Sequence, residues 1–449
     1  MTSYDNICAM ATPSGGAIGI VRVSGPDSIA IVERLFSRKI SEAKSHTMHY
    51  GVFASDSSMP VDDVMVGIFR APHTYTGENS VEIYCHGSRY IMSEIIRILI
   101  ESGCRQAEPG EFTRRAFVNG RMDLSQAEAV ADLIAASGRA SHDMALGQLR
   151  GNISSELSAL RDKLLKMTSL MELELDFSDH EELEFADRSE LLQLATVIQH
   201  RISSLASSFR TGQAIKQGIP VAIIGKTNVG KSTLLNRLVG EDKAIVSDIH
   251  GTTRDIIEDT IDIHGITFRF VDTAGLRTTD DVIEQIGIER SYSALSKAAI
   301  VLWVIDTPPS EEELSDITSR CKGKQVIAVI NKTDKLPAIP LSIPFSTLSI
   351  SALNGTGINE LTDAIYAKSG IPEIGENDAI ITSARHYSSL LQAQESITRV
   401  LDGLEMNIPN DLLSEDLRQC LDALADITGG VITPSEVLNN IFSHFCIGK

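Results

Sequence analysis

The stretch Gly225-Lys226-Thr227-Asn228-Val229-Gly230-Lys231-Ser232 follows the apolar run Ile219-Pro220-Val221-Ala222-Ile223-Ile224 and precedes the helical pattern Thr233-Leu234-Leu235-Asn236. Strand, glycine-rich loop and helix start in that order are what a phosphate-binding loop requires. Glycines let consecutive backbone N–H groups converge on phosphate oxygens, and a helix N-terminus favours negative charge. Asn228, Val229 and Gly230 line such a loop, Lys231 reaches the outer phosphates, and Ser232, with Thr233 next to it, presents a hydroxyl to Mg2+. A phosphate-bearing ligand follows.

Farther along, Ala299-Ile300-Val301-Leu302-Trp303-Val304-Ile305 and Val326-Ile327-Ala328-Val329-Ile330 are rich in β-branched residues and lack polar alternation, so both read as buried parallel strands. The second ends in Asn331-Lys332-Thr333-Asp334. The Asp334 carboxylate can accept two hydrogen bonds from the N1–H and exocyclic amine of guanine, a donor pair that adenine lacks. Asn331 ties the loop together near the base. Ser351-Ala352-Leu353, after the strand-like Thr347-Leu348-Ser349-Ile350, brings a backbone N–H to guanine O6. The expected nucleotide is GTP.

Asp272-Thr273-Ala274-Gly275 ends the strand-like Ile266-Thr267-Phe268-Arg269-Phe270-Val271, which places Asp272 in the Mg2+ shell and the Gly275 N–H at the γ-phosphate. Upstream, Gly251-Thr252-Thr253-Arg254-Asp255 supplies Thr253, which closes on Mg2+ only when the γ-phosphate is present. These are two switch segments. Ras-like enzymes place a water-orienting glutamine just after the switch glycine, whereas this chain has Leu276, which neither accepts nor donates a proton. The Asn228 carbonyl, together with backbone carbonyls of the Ser247, Ile249 and Thr252 loop, can hold K+ where an arginine finger would otherwise sit. Glu284, in Asp280-Asp281-Val282-Ile283-Glu284, can then position water. On spacing alone, a solvated carboxylate at a helix start is the favoured reading of Glu284.

The chain has 449 residues, and the nucleotide-binding stretch accounts for only about a third of it, so further domains are required. A formal net charge of -20 argues against holding nucleic acid by broad phosphate neutralisation. Cys8, Cys85, Cys104, Cys321, Cys420 and Cys446 form no CxxC pair and no zinc-like spacing, as suits a reducing cytosol. No signal peptide and no membrane span is expected, so the protein reads as cytoplasmic.

Ile153, Leu157, Leu160, Leu164, Met167 and Met171 recur at alternating spacings of four and three, giving one apolar seam on a long helix. Leu191, Ala195, Ile198, Ile202, Leu205 and Phe209 repeat the pattern, and the acidic stretch from Glu172 to Glu190 between them reads as a solvated connection. Leu390, Ile397, Leu401 and Leu404, then Leu417, Leu421 and Leu424, resume helical spacing up to Gly429-Gly430. Thr433-Pro434-Ser435-Glu436 reads as a capping box opening a last short helix. The seams fit either one helical domain interrupted by the GTPase or coiled-coil dimer contacts. The first ~120 residues mix β-rich runs, Ile18–Val23 and Ser80–Tyr84, with a helical Ile91–Ile100, suggesting α+β. The expected class is multidomain α/β: a P-loop GTPase domain (216–372) inserted in an α-helical domain (121–215 and 373–449) and preceded by an α+β domain (1–120). A homodimer is expected, because a facing switch offsets the entropy of ordering the cation loop.

The ends carry more specific signals: Ala11-Thr12-Pro13 with Arg22, Thr76-Gly77-Glu78, His86-Gly87, Pro109-Gly110-Glu111-Phe112-Thr113-Arg114-Arg115-Ala116-Phe117, Leu124-Ser125-Gln126-Ala127-Glu128-Ala129, and the terminal Phe445-Cys446-Ile447-Gly448-Lys449. In these, over essentially its full length, the chain resembles the MnmE (TrmE) family of tRNA-modification GTPases. The resemblance implies an N-terminal domain that binds tetrahydrofolate, as 5-formyl- or methylene-tetrahydrofolate, and serves dimerisation. It implies a partner, the FAD- and NADH-using MnmG-type protein, and the joint addition of aminomethyl or carboxymethylaminomethyl groups at C5 of the wobble uridine of certain tRNAs. Family folate-contacting positions fall on Arg22, Glu82, Arg121 and Lys449, with arginine at 121 where some relatives have lysine. Cys446 reads either as a nucleophile toward uridine C6 or as a small packing residue. Two other readings stay open. A ribosome-assembly GTPase of the Era or Der type should carry a basic RNA-binding domain, and a scaffold that only holds GTP should show negligible turnover.

Overall fold

The computed structural model describes residues 5–55, 59–176, 188–241, 259–271, 295–335, 343–372, 375, 378–430, 441–442, 445 and 448. The chain divides into two compact units. One comprises Met1–Ile134, Gln148–Ser203 and Ser388–Lys449, the other Ala135–Gly147 and Ser204–Tyr387.

In the first unit, strands β1 (Asn6–Met10), β2 (Ile18–Ser24), β3 (Thr47–Ala54), β4 (Pro60–Phe69), β5 (Ser80–His86) and β6 (Cys104–Gln106) form one sheet in the order β3-β4-β5-β2-β1-β6. Neighbours are antiparallel except the β1/β6 pair, which is parallel. Side chains alternate across a strand. Val21 and Val23 of β2 and Val81 and Ile83 of β5 enter a core shared with Val32 and Leu35 of α1 (Ser28–Leu35) and Ile95 and Leu99 of α2 (Arg89–Glu101). Arg22 and Glu82 therefore fall on the opposite face, directly across from each other in the β2/β5 register.

The Pro109–Phe117 motif builds α3 (Glu111–Val118) around a buried ionic knot. Glu111, 2% exposed, accepts from Arg105 at 2.7 and 2.9 Å, from Arg115 at 3.0 Å and from the Glu108 backbone N–H at 2.9 Å. Burial alone would raise the Glu111 carboxyl, but these donors outweigh it and hold it below the usual carboxylate range. A lowered native pKa gives stability that is present above about pH 4.5 and is lost as pH falls through the native value. Glu111→Gln is expected to cost about 3 kcal/mol by leaving buried guanidinium charge underpaired, and to flatten the acid limb of the unfolding midpoint measured between pH 3 and 6.

The rest of this unit is helical, from α4 (Leu124–Ala135), α5 (Arg139–Leu149), α6 (Asn152–Asp176), α7 (Arg188–Gln217), α11 (Ala384–Glu405) and α12 (Asn410–Thr428), the division between units falling inside α4, α5, α7 and α11. All six residues of the 153–171 seam are buried, as are Leu191, Ala195, Ile198, Ile202 and Leu205. The chain's own bundle consumes both seams: α6 packs on α12, Gln199 bonds Thr398 at 3.1 Å, and Arg188 Nε donates to the Leu404 carbonyl at the end of α11 at 2.9 Å. This removes the coiled-coil alternative for these residues. The 433–436 capping box lies outside the described residues.

The second unit holds β7 (Ile219–Ile224), β8 (Asp259–Ile263), β9 (Ile266–Phe270), β10 (Ile300–Ile305), β11 (Gln325–Ile330) and β12 (Ser346–Ser349) in the order β12-β11-β10-β7-β9-β8, parallel throughout except for the β8/β9 hairpin. Cores lie on both faces, which is why its central strands read as unbroken apolar runs. Helices α8 (Lys231–Glu241), α9 (Glu311–Arg320) and α10 (Ile358–Ser369) complete it. Residues 135–147 fall in this unit although the sequence reading assigns them to the helical domain. The Ala140 N–H donates to the Gly265 carbonyl at 2.8 Å, and the Ser137 and Thr267 hydroxyls meet at 3.2 Å.

Candidate nucleotide site

The carboxyl ends of β7, β10, β11 and β12 deliver Gly225, Asp306, Asn331 and Ser351 to one edge of the sheet, where ligands of open α/β sheets bind. The loop after β7 bends through left-handed backbone at Asn228 (φ 62°) and Gly230 (φ 97°). A Cβ on Gly230 would sit 2.3 Å from Asn331 Nδ2, so no larger residue fits. Val229 is the buried anchor of the loop, and Ser232 and Thr233 are exposed in the first turn of α8.

Asn331, 3% exposed, joins the two ends of the site. Its Nδ2 donates to the Val229 carbonyl in the phosphate loop at 2.8 Å, and its Oδ1 accepts from the Ala352 N–H at 3.0 Å. Ser351 Oγ donates to Asp334 Oδ1 at 2.7 Å, leaving that exposed carboxylate oriented at the rim. The Ser351 N–H is bonded to the Thr356 carbonyl at 2.9 Å, so of the Ser351–Leu353 triplet the first two N–H groups have protein acceptors.

Three lysines converge on the loop. Lys231 Nζ donates to the Gly225 and Lys226 carbonyls at 2.8 and 2.6 Å, and burial pushes its pKa down. Lys332, at φ 65°, reaches the Asn228 carbonyl and Asp306 Oδ2, both at 2.7 Å. Lys226 pairs with Glu313 at 2.6 Å. Beside the loop, Lys226, Val229, Trp303, Asp306, Pro309 and Glu313 line a small open cleft. Sequence reasoning missed Asp306, Glu313 and Arg237, whose guanidinium on α8 binds the Ala352 and Leu353 carbonyls at 3.3 and 2.6 Å. No nucleotide-binding motif marks any of the three, because each reaches the site by a contact between distant segments.

Ser247, Ile249, Thr252, Thr253, Asp272, Gly275, Leu276 and Glu284 lie outside the described residues, as do Cys446 and Lys449. The other five cysteines are buried free thiols, with burial pushing Cys85 up to about 11 and Cys420 up to about 12. Among the described residues, no helix is long and apolar enough to cross a membrane.

A second constellation occupies the first unit. Arg22 binds Glu82 at 2.8 and 2.9 Å, its guanidinium carbon lies 5.9 and 5.6 Å from the Tyr75 and Phe112 ring centroids, and its NH1 donates to the Gly448 carbonyl at 3.2 Å. Burial, then Glu82, push Tyr84 up to about 12, so it stays a donor to Glu82 at 2.7 Å. Arg121 Nε donates to the Thr74 carbonyl, next to Tyr75, at 3.1 Å. Phe442 and Phe445 pack with Leu124 and Ala127, and Gly448 has φ 101° with a would-be Cβ 2.2 Å from the Met10 carbonyl oxygen. The C-terminal tail thus folds back on the first 130 residues of the same chain.

A glycine-bent loop feeding a helix, with an asparagine bridge to an aspartate-bearing base loop, defines a P-loop protein of the guanine-nucleotide-binding class. Residues 6–121 match the family model described as the GTP-binding protein TrmE N-terminus, and residues 124–446 match that of the MnmE helical domain. Proteins named tRNA modification GTPase MnmE from Phocaeicola vulgatus and Bacteroides fragilis are 50% and 52% identical to this chain, each alignment covering 100% of both proteins. One from Parabacteroides distasonis is 53% identical over 99% of both. The chain belongs to the MnmE family of tRNA modification GTPases.

Proposed function

We propose that this chain hydrolyses GTP in a K+-stimulated cycle that gates the modification of wobble uridine in tRNA, acting in the cytoplasm as a homodimer together with an FAD-dependent MnmG-type partner. The observation that carries the nucleotide part is the Asn331 bridge, which couples the phosphate loop to the base loop. Pre-organisation of this kind spares part of the ordering cost of binding. Ser232, Thr253 and Asp272 would hold Mg2+, which neutralises phosphate charge when bound. Asn228 with Ser247, Ile249 and Thr252 would hold K+. Lys231 leaves the loop carbonyls for the phosphates, and Asp334 reads the guanine edge.

The folate reading rests on Arg22, paired with Glu82 and close to the Tyr75 and Phe112 rings, and on Arg121 bonded to the Thr74 carbonyl, with Lys449 one residue beyond Gly448. Aromatic faces suit a pterin ring, and the guanidinium groups suit the carboxylates of its glutamate tail. Folate would supply the one-carbon unit when bound. With Glu82 already paired to Arg22, a pterin would have to share that carboxylate or displace the guanidinium. The -20 net charge fits a protein that leaves much RNA contact to its partner.

Turnover in matched potassium and sodium salts tests the cycle, and we expect potassium to be faster by tenfold or more. Asn228→Gly, which preserves the left-handed backbone while deleting the carbonyl, should erase the difference. Equal rates for the parent would refute the K+ assignment. Mass analysis of wobble uridine in cells lacking this protein tests the pathway: undiminished C5 modification would remove it from that reaction.

A further inference from the structure

We propose that Glu313 sets the preference of the nucleotide site for triphosphate over diphosphate by holding the Lys226 ammonium at the rim of the phosphate loop. The inference rests on the nucleotide reading above and assigns a role to a loop residue and a helix-capping residue to which the sequence reading gave none. Lys226 is the second residue of the loop, between Gly225 and Thr227, and its Nζ lies 2.6 Å from Glu313 Oε1. Its own carbonyl holds the Lys231 ammonium at 2.6 Å, so backbone and side chain of one residue connect Glu313 to the phosphate-binding lysine.

Glu313 is a pre-organised acceptor rather than a passing surface charge. It is the N3 residue of a capping box at the start of α9, where its Oε2 accepts from the Ser310 N–H at 3.0 Å and its own N–H donates to Ser310 Oγ at 3.3 Å. One oxygen is fixed by the helix, which aims the other at the loop. Donors from Lys226 and Ser310 keep this carboxylate below its usual range against the upward push of burial.

The Lys226 and Glu313 side chains are 62% and 30% exposed, so the pair adds little to folding stability. Its consequence is for charge beside the ligand. While the pair is closed, the rim is neutral and Lys231 carries the loop's contact with phosphate. Freeing Lys226 adds a mobile cation, whereas removing Lys226 exposes an unpaired carboxylate. Either change acts more strongly on GTP, which carries about one more negative charge than GDP, and across a solvated rim such a term amounts to a few-fold per charge.

The test is equilibrium titration of fluorescent GTP and GDP analogues with the full chain. Glu313→Gln retains the capping box, since glutamine serves at N3 as glutamate does, and should raise the GTP-to-GDP affinity ratio about three- to fivefold at low salt. Lys226→Met should lower the ratio by a similar factor, and the double variant should return within twofold of the parent. Both single shifts should shrink at 0.5 M salt. Unmoved ratios in both single variants, or a double variant displaced further than either, would overturn the role of Glu313 while leaving the nucleotide site intact. A parent chain that binds neither nucleotide would overturn the nucleotide reading itself, and this proposal with it.

Discussion

Gly230→Ala is expected to lower GTP affinity at least a hundredfold. The residue sits at φ 97°, and its new Cβ would lie 2.3 Å from Asn331 Nδ2. Left-handed strain costs about 1–3 kcal/mol. The larger loss arises because Asn331 can move only by releasing the Val229 carbonyl or the Ala352 N–H, which disconnects the phosphate loop from the base loop. Titration with a fluorescent GTP analogue measures this, with circular dichroism confirming the fold. Asn331→Ala, which removes the bridge without backbone strain, should reproduce most of the loss. Affinity within threefold of the parent in both variants would show that the bridge does not organise the site.

Glu284→Ala is expected to slow GTP turnover about a hundredfold while leaving GTP affinity within threefold. A group that positions water acts mainly in the transition state, whereas the phosphate and base contacts proposed above fall to Gly225–Thr233 and Asn331–Ala352. Single-turnover hydrolysis beside a binding titration separates the two. Turnover within about twofold of the parent, an effect of roughly 0.4 kcal/mol, would return Glu284 to a solvated carboxylate.

Legibility in the sequence followed the range of the physics involved. The central strands of the second unit could be read because both of their faces are buried, and the 153–171 seam because every member faces one core. The bond of Asn331 to Val229 in the phosphate loop, across 102 residues, lay beyond motif order, by which only its place in the base loop was legible. Pairing of Arg22 with Glu82 was not, since it depends on strand register across 60 residues. Glu111 gives no sign of burial, because a glutamate is ordinarily solvated and only the arrival of Arg105 and Arg115 makes its position tolerable. The docking of residues 135–147 on the β8/β9 hairpin rests on a backbone N–H and a pair of hydroxyls, groups whose partners no local pattern specifies.

The bond from Arg22 to the Gly448 carbonyl joins residues 426 positions apart. On a ribosome adding roughly 5–20 residues per second, Arg22 emerges some twenty to ninety seconds before the carbonyl that completes its surroundings is made. During that interval Glu82 and the neighbouring aromatic rings must keep its guanidinium in place. A chain released early, anywhere after the GTPase unit, would carry a finished nucleotide site and an unfinished N-terminal one. The N-terminal site is therefore completed late, by a backbone carbonyl supplied from residue 448.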